Sequence, residues 1–257
     1  MMQAAIVTGA SRGLGLALCA ELLQRGFVVV GLARQHSEGF RQLARQYPQQ
    51  LHYLRADMAD SPALHGLLAE ALQLLPMNAV RQLLLINNAG VVMPIASAGF
   101  YPAAELTQAI AINLTAPMLL TDALLRLSDE LECQLRILCI SSGAAVKAYP
   151  GWGVYGSSKA ALDHFCRHVA EEQQACANPA LIAAVYPGVV DTDMQAHIRD
   201  SDPAQFPNKE RFDALKREGG LSTPQQAARQ LADHLLSADF GHHPVLDIRH
   251  LPDQAQN

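Results

Sequence analysis

The stretch AAIVTGASRGLGLALCAELLQRG, residues 4–26, decides the fold. It opens on a short apolar run of strand type, turns through glycines, and continues with the apolar periodicity of a helix. Gly9 permits the tight turn, Gly13 lets backbone approach a pyrophosphate, and Gly15 lets helix and strand pack closely. The helix N-terminus then offers unpaired N–H groups and the positive end of its dipole to phosphate oxygens. Glycines alone also occur in structural turns. Here they stand between a strand and a helix, where a nucleotide-binding turn needs them.

Working outward, β-rich apolar runs alternate with longer helical patterns. Strand-type runs fall at residues 27–34, 51–57, 81–90, 134–142, 180–188 and 243–249. Helical patterns lie between them, including a long one over residues 103–131 and one starting near Gly153. Continuous apolar strands separated by helices predict a parallel sheet buried on both faces. Right-handed crossovers make it a doubly wound α/β sheet of about seven strands, the Rossmann type, in one domain over residues 1–257. Residues 191–221 are the least regular stretch and follow a strand end, where open α/β sheets place ligands, so they are expected to form a substrate loop or lid.

Composition narrows the function. Half of the 257 residues are hydrophobic, 17% are charged, and the net charge is -5. That balance argues against non-specific binding to nucleic acid or an anionic membrane. The five cysteines form no CxxC pair, and neither they nor the ten histidines have metal-ligand spacing, so no metal site is expected. The N-terminus has no basic region preceding an apolar core, and no uninterrupted apolar run approaches the roughly 20 residues that span a bilayer. The expectation is a cytoplasmic protein.

TGASRGLG (residues 8–15) has TGxxxGxG spacing and resembles the short-chain dehydrogenase/reductase family. NNAG (87–90), YGSSK (155–159) and PGVVDT (187–192) match three further signatures of that family, in its order along the chain. The resemblance implies a nicotinamide cofactor held by Gly9, Ser11, Arg12, Gly13, Leu14 and Gly15. It brings the Asp57 side chain and Met58 backbone to the adenine edge, and Asn88, Ala89 and Gly90 to the adenine ribose, where they also brace the sheet. Pro187, Gly188, Val190 and Thr192 would lie near the nicotinamide carboxamide, with Tyr155 and Lys159 against its ribose. For Asp57 a helix N-cap is the alternative, although Asp60 or Ser61 could serve there equally well. NAD enzymes carry Asp or Glu at the end of the second strand for the ribose 2′-hydroxyl. Here the strand ends GLAR, and no carboxylate follows before Glu38. Arg34 and Arg12, if they converge, suit a 2′-phosphate, so NADPH is the expected cofactor.

Tyr155 and Lys159 stand four apart on a helix and share a face. Carbonyl reduction needs a proton delivered to oxygen as hydride reaches carbon. A free tyrosine titrates near 10. A neighbouring lysine ammonium and the helix N-terminus both favour phenolate, so the pKa of Tyr155 is expected to move towards neutrality. Ser141 and Ser142 point to opposite faces of their strand, so one of them turns towards the crevice. The family's serine stands 13 positions before its tyrosine, which selects Ser142 to hydrogen-bond the substrate carbonyl. In AINLTAPMLL (111–120), Pro117 removes the N–H that would pair with the Asn113 carbonyl, so a kink is expected. By resemblance, that carbonyl holds a water in a proton relay to the lysine.

GWGVYGSSKAALD (151–163), YPGVVDTDMQ (186–195) and ERFDALKREGGL (210–221) are similar to the benzil reductase ((S)-benzoin forming) and sepiapterin reductase branch. That branch implies NADPH-dependent reduction of one carbonyl of an aromatic or vicinal dicarbonyl, with Trp152 beside the substrate; ordinary core packing is the alternative for Trp152. The acidic residue that clamps a pterin near the C-terminus is replaced by His250, with Asp247 and Asp253 in uncertain register, which weighs against a pterin. VVMPIASAGF (91–100) and AAVKAYPGW (144–152) are the candidate pocket walls. Other short-chain ketone or quinone reductases, and a non-catalytic NADP-binding regulator, are the competing readings. The family also implies a homodimer or tetramer.

Overall fold

Residues 4–8 complete β1 (Met2–Thr8), whose side chains alternate between two separate cores. Ala4 and Ile6 pack into one core, Ala5 and Val7 into the other. Two-residue periodicity makes such a strand bury both faces, and it recurs in every central strand. The computed structural model describes residues 2–127, 130, 131, 133–203 and 205–251.

After β1 come α1 (Gly13–Gln24), β2 (Val28–Ala33), α2 (Glu38–Gln46), β3 (Leu51–Arg55), α3 (Leu64–Gln73) and β4 (Val80–Asn87). Next are α4 (Ala103–Ile110), α5 (Ala116–Arg126), β5 (Gln134–Ile140), α6 (Gly153–Gln173) and β6 (Leu181–Tyr186). The chain continues through α7 (Asp193–Arg199), α8 (Lys209–Arg217), α9 (Pro224–Leu236) and β7 (Val245–Asp247). The strands order as β3-β2-β1-β4-β5-β6-β7, and every pairing is parallel. This is the seven-stranded Rossmann sheet expected. Its strand order reverses between β1 and β4, so their carboxyl ends open a crevice for a ligand.

Side chains from α3, α5 and α6 fill the core on one face of the sheet. Those from α1, α2 and α9 fill the other. α9 starts with a capping box in which the Thr223 side chain and Gln226 satisfy each other's backbone N–H groups.

Three expectations are revised or refined. The pattern over 103–131 is not one α-helix: residues 111–115 form a π-helical turn between α4 and α5, and α5 stops at Arg126. Ala116 N–H bonds the Ala111 carbonyl, five residues back, and Pro117 has no N–H. The carbonyls of Ile112 and Asn113 therefore both lose their i+4 donors, which a simple kink at Pro117 would not have done. Secondly, residues 103–126 are long and apolar enough to cross a membrane by composition. Half of their most apolar window is buried, and they pack against α3 and α6 as a core helix layer. Thirdly, residues 191–221 contain α7 and α8 rather than irregular chain.

Candidate active site

The glycine turn is built as its sequence requires. A Cβ on Gly15 would stand 2.2 Å from the Gly9 carbonyl oxygen, so only glycine lets α1 approach the strand end. Gly9 and Gly13 both have positive φ, +67° and +53°. Leu14 is buried under the turn. No acidic side chain lies in the first turn of α1, and its N-cap residue Arg12 makes no side-chain cap bond. These uncapped N–H groups fit the pyrophosphate of a nicotinamide dinucleotide.

Neighbouring segments converge on this turn. Thr8 Oγ1 accepts the N–H groups of Asn88 and Ala89, both at 3.0 Å, and Asn88 Nδ2 donates to the Thr8 carbonyl at 2.9 Å. The NNAG segment thus braces β1 against β4, as the resemblance implies. Ser37 Oγ caps α2 by accepting the Phe40 N–H and donates to the Ser11 carbonyl, docking the loop after β2 on the glycine turn. That loop carries Arg34, which is exposed and makes no hydrogen bond or ion pair among the described residues.

Arg12 does not turn to meet Arg34. Its guanidinium pairs with Asp193 at the start of α7, at 3.1 Å, with both side chains about two-thirds exposed. Such a solvated pair is worth at most about 1 kcal/mol, so a phosphate can displace the carboxylate. Asp57 is exposed, and its Oδ1 accepts the Ala59 N–H at 3.0 Å. Neither Asp57 nor Ser61 is the N-cap of the short 3-10 turn that follows; that position is Asp60, whose side chain makes no cap bond. Met58 is buried beside Asp57. On the far side, Gly188 has φ +77°, Val190 bridges Ser222, and Thr192 N-caps α7 with its methyl against Gly13. Pro187 begins this loop, directly after Tyr186 at the end of β6.

The two serines separate as strand alternation predicts. Ser141 has the parity of Ile137 and Cys139 and points to α6, where its Oγ donates to Asp163 Oδ1 at 2.5 Å. Ser142 ends in the crevice, N-caps the 3-10 turn Gly143–Ala145 by accepting the Ala144 N–H, and its hydroxyl lies close enough to Tyr155 to favour the phenolate. Burial pushes the Tyr155 phenol above its ordinary value, and the Ser142 hydroxyl pulls it only part-way back. That reverses the expected direction. Desolvation of the phenolate, with Tyr155 only 7% exposed, is the largest cause.

Lys159 Nζ donates to the Ile140 carbonyl at 2.8 Å, and burial draws its pKa down to about 8. A Cβ on Gly90 would stand 3.6 Å from that Nζ, an ordinary contact, so Gly90 lies directly beside the lysine. Asn113 contributes a side chain as well as a carbonyl. Its amide exchanges two 2.8 Å bonds with the backbone of Val91 and donates to Ser158 Oγ, which in turn donates to the Tyr155 carbonyl. One buried amide therefore clamps the π turn to the segment after β4 and to α6.

Trp152 is buried in a third, smaller core with Tyr155, Val92, Ile198, Phe206 and Phe212. Phe206 stacks on it at 4.8 Å and 20°, and Tyr155 meets its edge at 5.5 Å. The segment 191–221 thus packs into the same apolar cluster as Tyr155. Both wall segments take part: Ala96 bridges Trp152, and Ser97 N–H donates to Gln205. Residues 144–149 line a cavity of about 290 Å³, but its walls include Gly156 and Ala160 rather than Ser142 or Tyr155.

The sequence reading missed Thr8, Asp163, Phe206 and Phe212. Strand parity carries a signal for Asp163, because it sends both Ser141 and Tyr186 towards α6. Phe206 and Phe212 lie in a stretch without periodicity, and no local pattern marks them. Among the described residues no cluster of three metal-ligating side chains occurs.

The short chain dehydrogenase profile matches residues 3–203. Benzil reductase ((S)-benzoin forming) from Bacillus cereus is 35% identical over 247 residues, 96% of this chain and 99% of that protein. Sepiapterin reductase from Meriones unguiculatus is 32% identical, over 91% of this chain and 92% of its own. The crystal structure of a short-chain dehydrogenase/reductase from Burkholderia vietnamiensis superposes with a TM-score of 0.64 at 37% identity, covering 97% and 98% of the two chains.

Proposed function

The chain belongs to the short-chain dehydrogenase/reductase family, and on that premise we propose that it is an NADPH-dependent carbonyl reductase acting on an aromatic or vicinal dicarbonyl of the benzil type. The observation that carries the reading is the buried Tyr155 beside Ser142, with Lys159 buried one helical turn on and held on the Ile140 carbonyl. The overall likeness to benzil and sepiapterin reductases supports the substrate class.

NADPH when bound supplies the hydride. Ser142 holds the substrate carbonyl oxygen and steadies the charge that develops there. Tyr155 delivers the proton to that oxygen, which suits a phenol kept protonated by burial. Lys159 orients the cofactor ribose and reprotonates Tyr155, and the Asn113 carbonyl connects the lysine to solvent. The aromatic side chains of Trp152, Phe206 and Phe212, packed on one another beside Tyr155, exclude water from it. Residues 191–221 act as the lid of the single domain. Arg34 and Arg12 hold the 2′-phosphate, with Asp57 at the adenine.

Asp247 weighs against a pterin. Arg249 binds its carboxylate through Nε at 2.9 Å and Nη2 at 2.5 Å, so it is engaged rather than offered to an amino group. The protein is proposed to be cytoplasmic and to form homo-oligomers. The test is NADPH oxidation with benzil, sepiapterin and simple diketones in parallel. Turnover of benzil to (S)-benzoin, with slower turnover of sepiapterin, is the expected result. No turnover of any carbonyl would overturn the reading.

A further inference from the structure

Asp163 is a buried carboxylate with no place in the proton chemistry above. It is 2% exposed, on α6, one turn beyond Lys159. Its Oδ1 accepts from Ser141 and its Oδ2 from Tyr186, both at 2.5 Å. Burial raises its pKa, and the two hydroxyl bonds oppose that more strongly than the charges of Arg167 and Lys159 do. A buried carboxylate satisfied by neutral hydroxyls is an expensive device, and an apolar side chain in the same place would generally cost less.

What the carboxylate joins explains its presence. Ser141 directly precedes Ser142, the residue that faces the substrate oxygen. Tyr186 directly precedes Pro187 and Gly188, the turn beside the nicotinamide. Asp163 itself belongs to the helix that carries Tyr155 and Lys159. Three separate elements therefore meet on one side chain, each one residue or one helical turn from a group that acts on the reacting atoms. Resting on the carbonyl-reductase reading, we infer that Asp163 is a positioning residue for hydride transfer, tying the ends of β5 and β6 to α6 so that Ser142, Tyr155 and the Pro187–Gly188 turn keep one mutual geometry. Misplacement by about 1 Å is enough to cost about a hundredfold in rate, so such a tie matters.

The charge has a second consequence. Asp163 helps hold the ammonium form of Lys159 against desolvation. The other groups around the carboxylate are Arg167, one turn further along α6, and the neighbouring thiols Cys166 on α6 and Cys139 on β5. Asp247 of β7 acts on Tyr186 from the far side.

Three variants separate tie from charge. Asp163→Asn removes the charge and one of two acceptor oxygens; Ser141→Ala and Tyr186→Phe each remove one bond and keep the charge. Expected are a tenfold or greater fall in kcat for Asp163→Asn, with the carbonyl KM within about threefold, and smaller falls for the other two. The alkaline limb of the pH profile should move to lower pH in Asp163→Asn alone. Folded variants that keep kcat within twofold of the native chain would overturn the inference. So would a reduced kcat with an unmoved alkaline limb in Asp163→Asn, which marks structural damage only. A native chain that turns over no carbonyl would bring down the reductase reading and this inference together, a result distinct from both.

Discussion

Replacing Lys159 by methionine should stabilise the cofactor-free protein at neutral pH while abolishing turnover. Burial lowers the lysine from its ordinary 10.5 to about 8, so the folded state resists its charge by about 2.5 pH units. At about 1.4 kcal/mol per unit, the penalty at pH 7 is roughly 3 kcal/mol. Methionine avoids it but leaves the Ile140 carbonyl without the lysine's bond, a loss of about 1 kcal/mol. The variant should therefore be more stable by about 2 kcal/mol at pH 7. The sign follows from proton counting. Between pH 8 and 10.5 the unfolded native chain binds more protons than the folded one, so its stability rises with pH. Above 10.5 the lysine is neutral in both states and the penalty is gone. The native chain should then be the more stable of the two by about 1 kcal/mol, the worth of the remaining bond. Urea unfolding at pH 7 and at about pH 11.5, followed by the emission of the single tryptophan, measures both differences. A stability difference that does not change with pH would refute the reasoning, because only a depressed lysine pKa makes it vary. Such a residue would be destabilising in the fold and, in the proposed role, necessary at the site, a common arrangement for buried catalytic groups.

Other outcomes follow from single contacts. Tyr155→Phe should lower kcat at least a hundredfold with NADPH affinity nearly unchanged, measured by turnover and by cofactor titration. Arg34→Glu places a carboxylate where a 2′-phosphate is proposed to lie, and should cut the preference for NADPH over NADH by tenfold or more in kcat/KM. Phe206→Ala removes the ring stacked on Trp152 at 4.8 Å, so tryptophan emission should shift to the red and kcat/KM for aryl ketones should fall. Gly15→Ala drives a methyl to 2.2 Å from the Gly9 carbonyl, and thermal unfolding should show either a Tm many degrees lower or no folded protein.

Much of the fold was legible because both sheet faces are buried. Two-residue alternation in β1, β4, β5 and β6 commits each side chain to a core, and Ser141 and Ser142 part on the same rule. Local rules also place Gly9, Gly13 and Gly15, the Tyr155–Lys159 helix face, and the disturbance around Pro117. They stopped short of the π turn, because its register depends on the Asn113 amide meeting Val91, a residue 22 positions away. Residues 191–221 have no periodicity to read. Their helices are short and gain stability by packing Phe206 and Phe212 on Trp152 rather than from propensity.

The sequence by itself determined the parallel sheet, the nucleotide turn, the opposite facing of Ser141 and Ser142, and the shared helix face of Tyr155 and Lys159. Each depends on spacing within a single strand or helix. Only the tertiary structure decided which charges those residues meet. It turned Arg12 to Asp193, raised the Tyr155 phenol where a lowering was expected, and brought Ser141 and Tyr186 onto Asp163. The physical reason is that desolvation and hydrogen bonding depend on what closes over a group from distant parts of the chain, and spacing along one element contains no record of that.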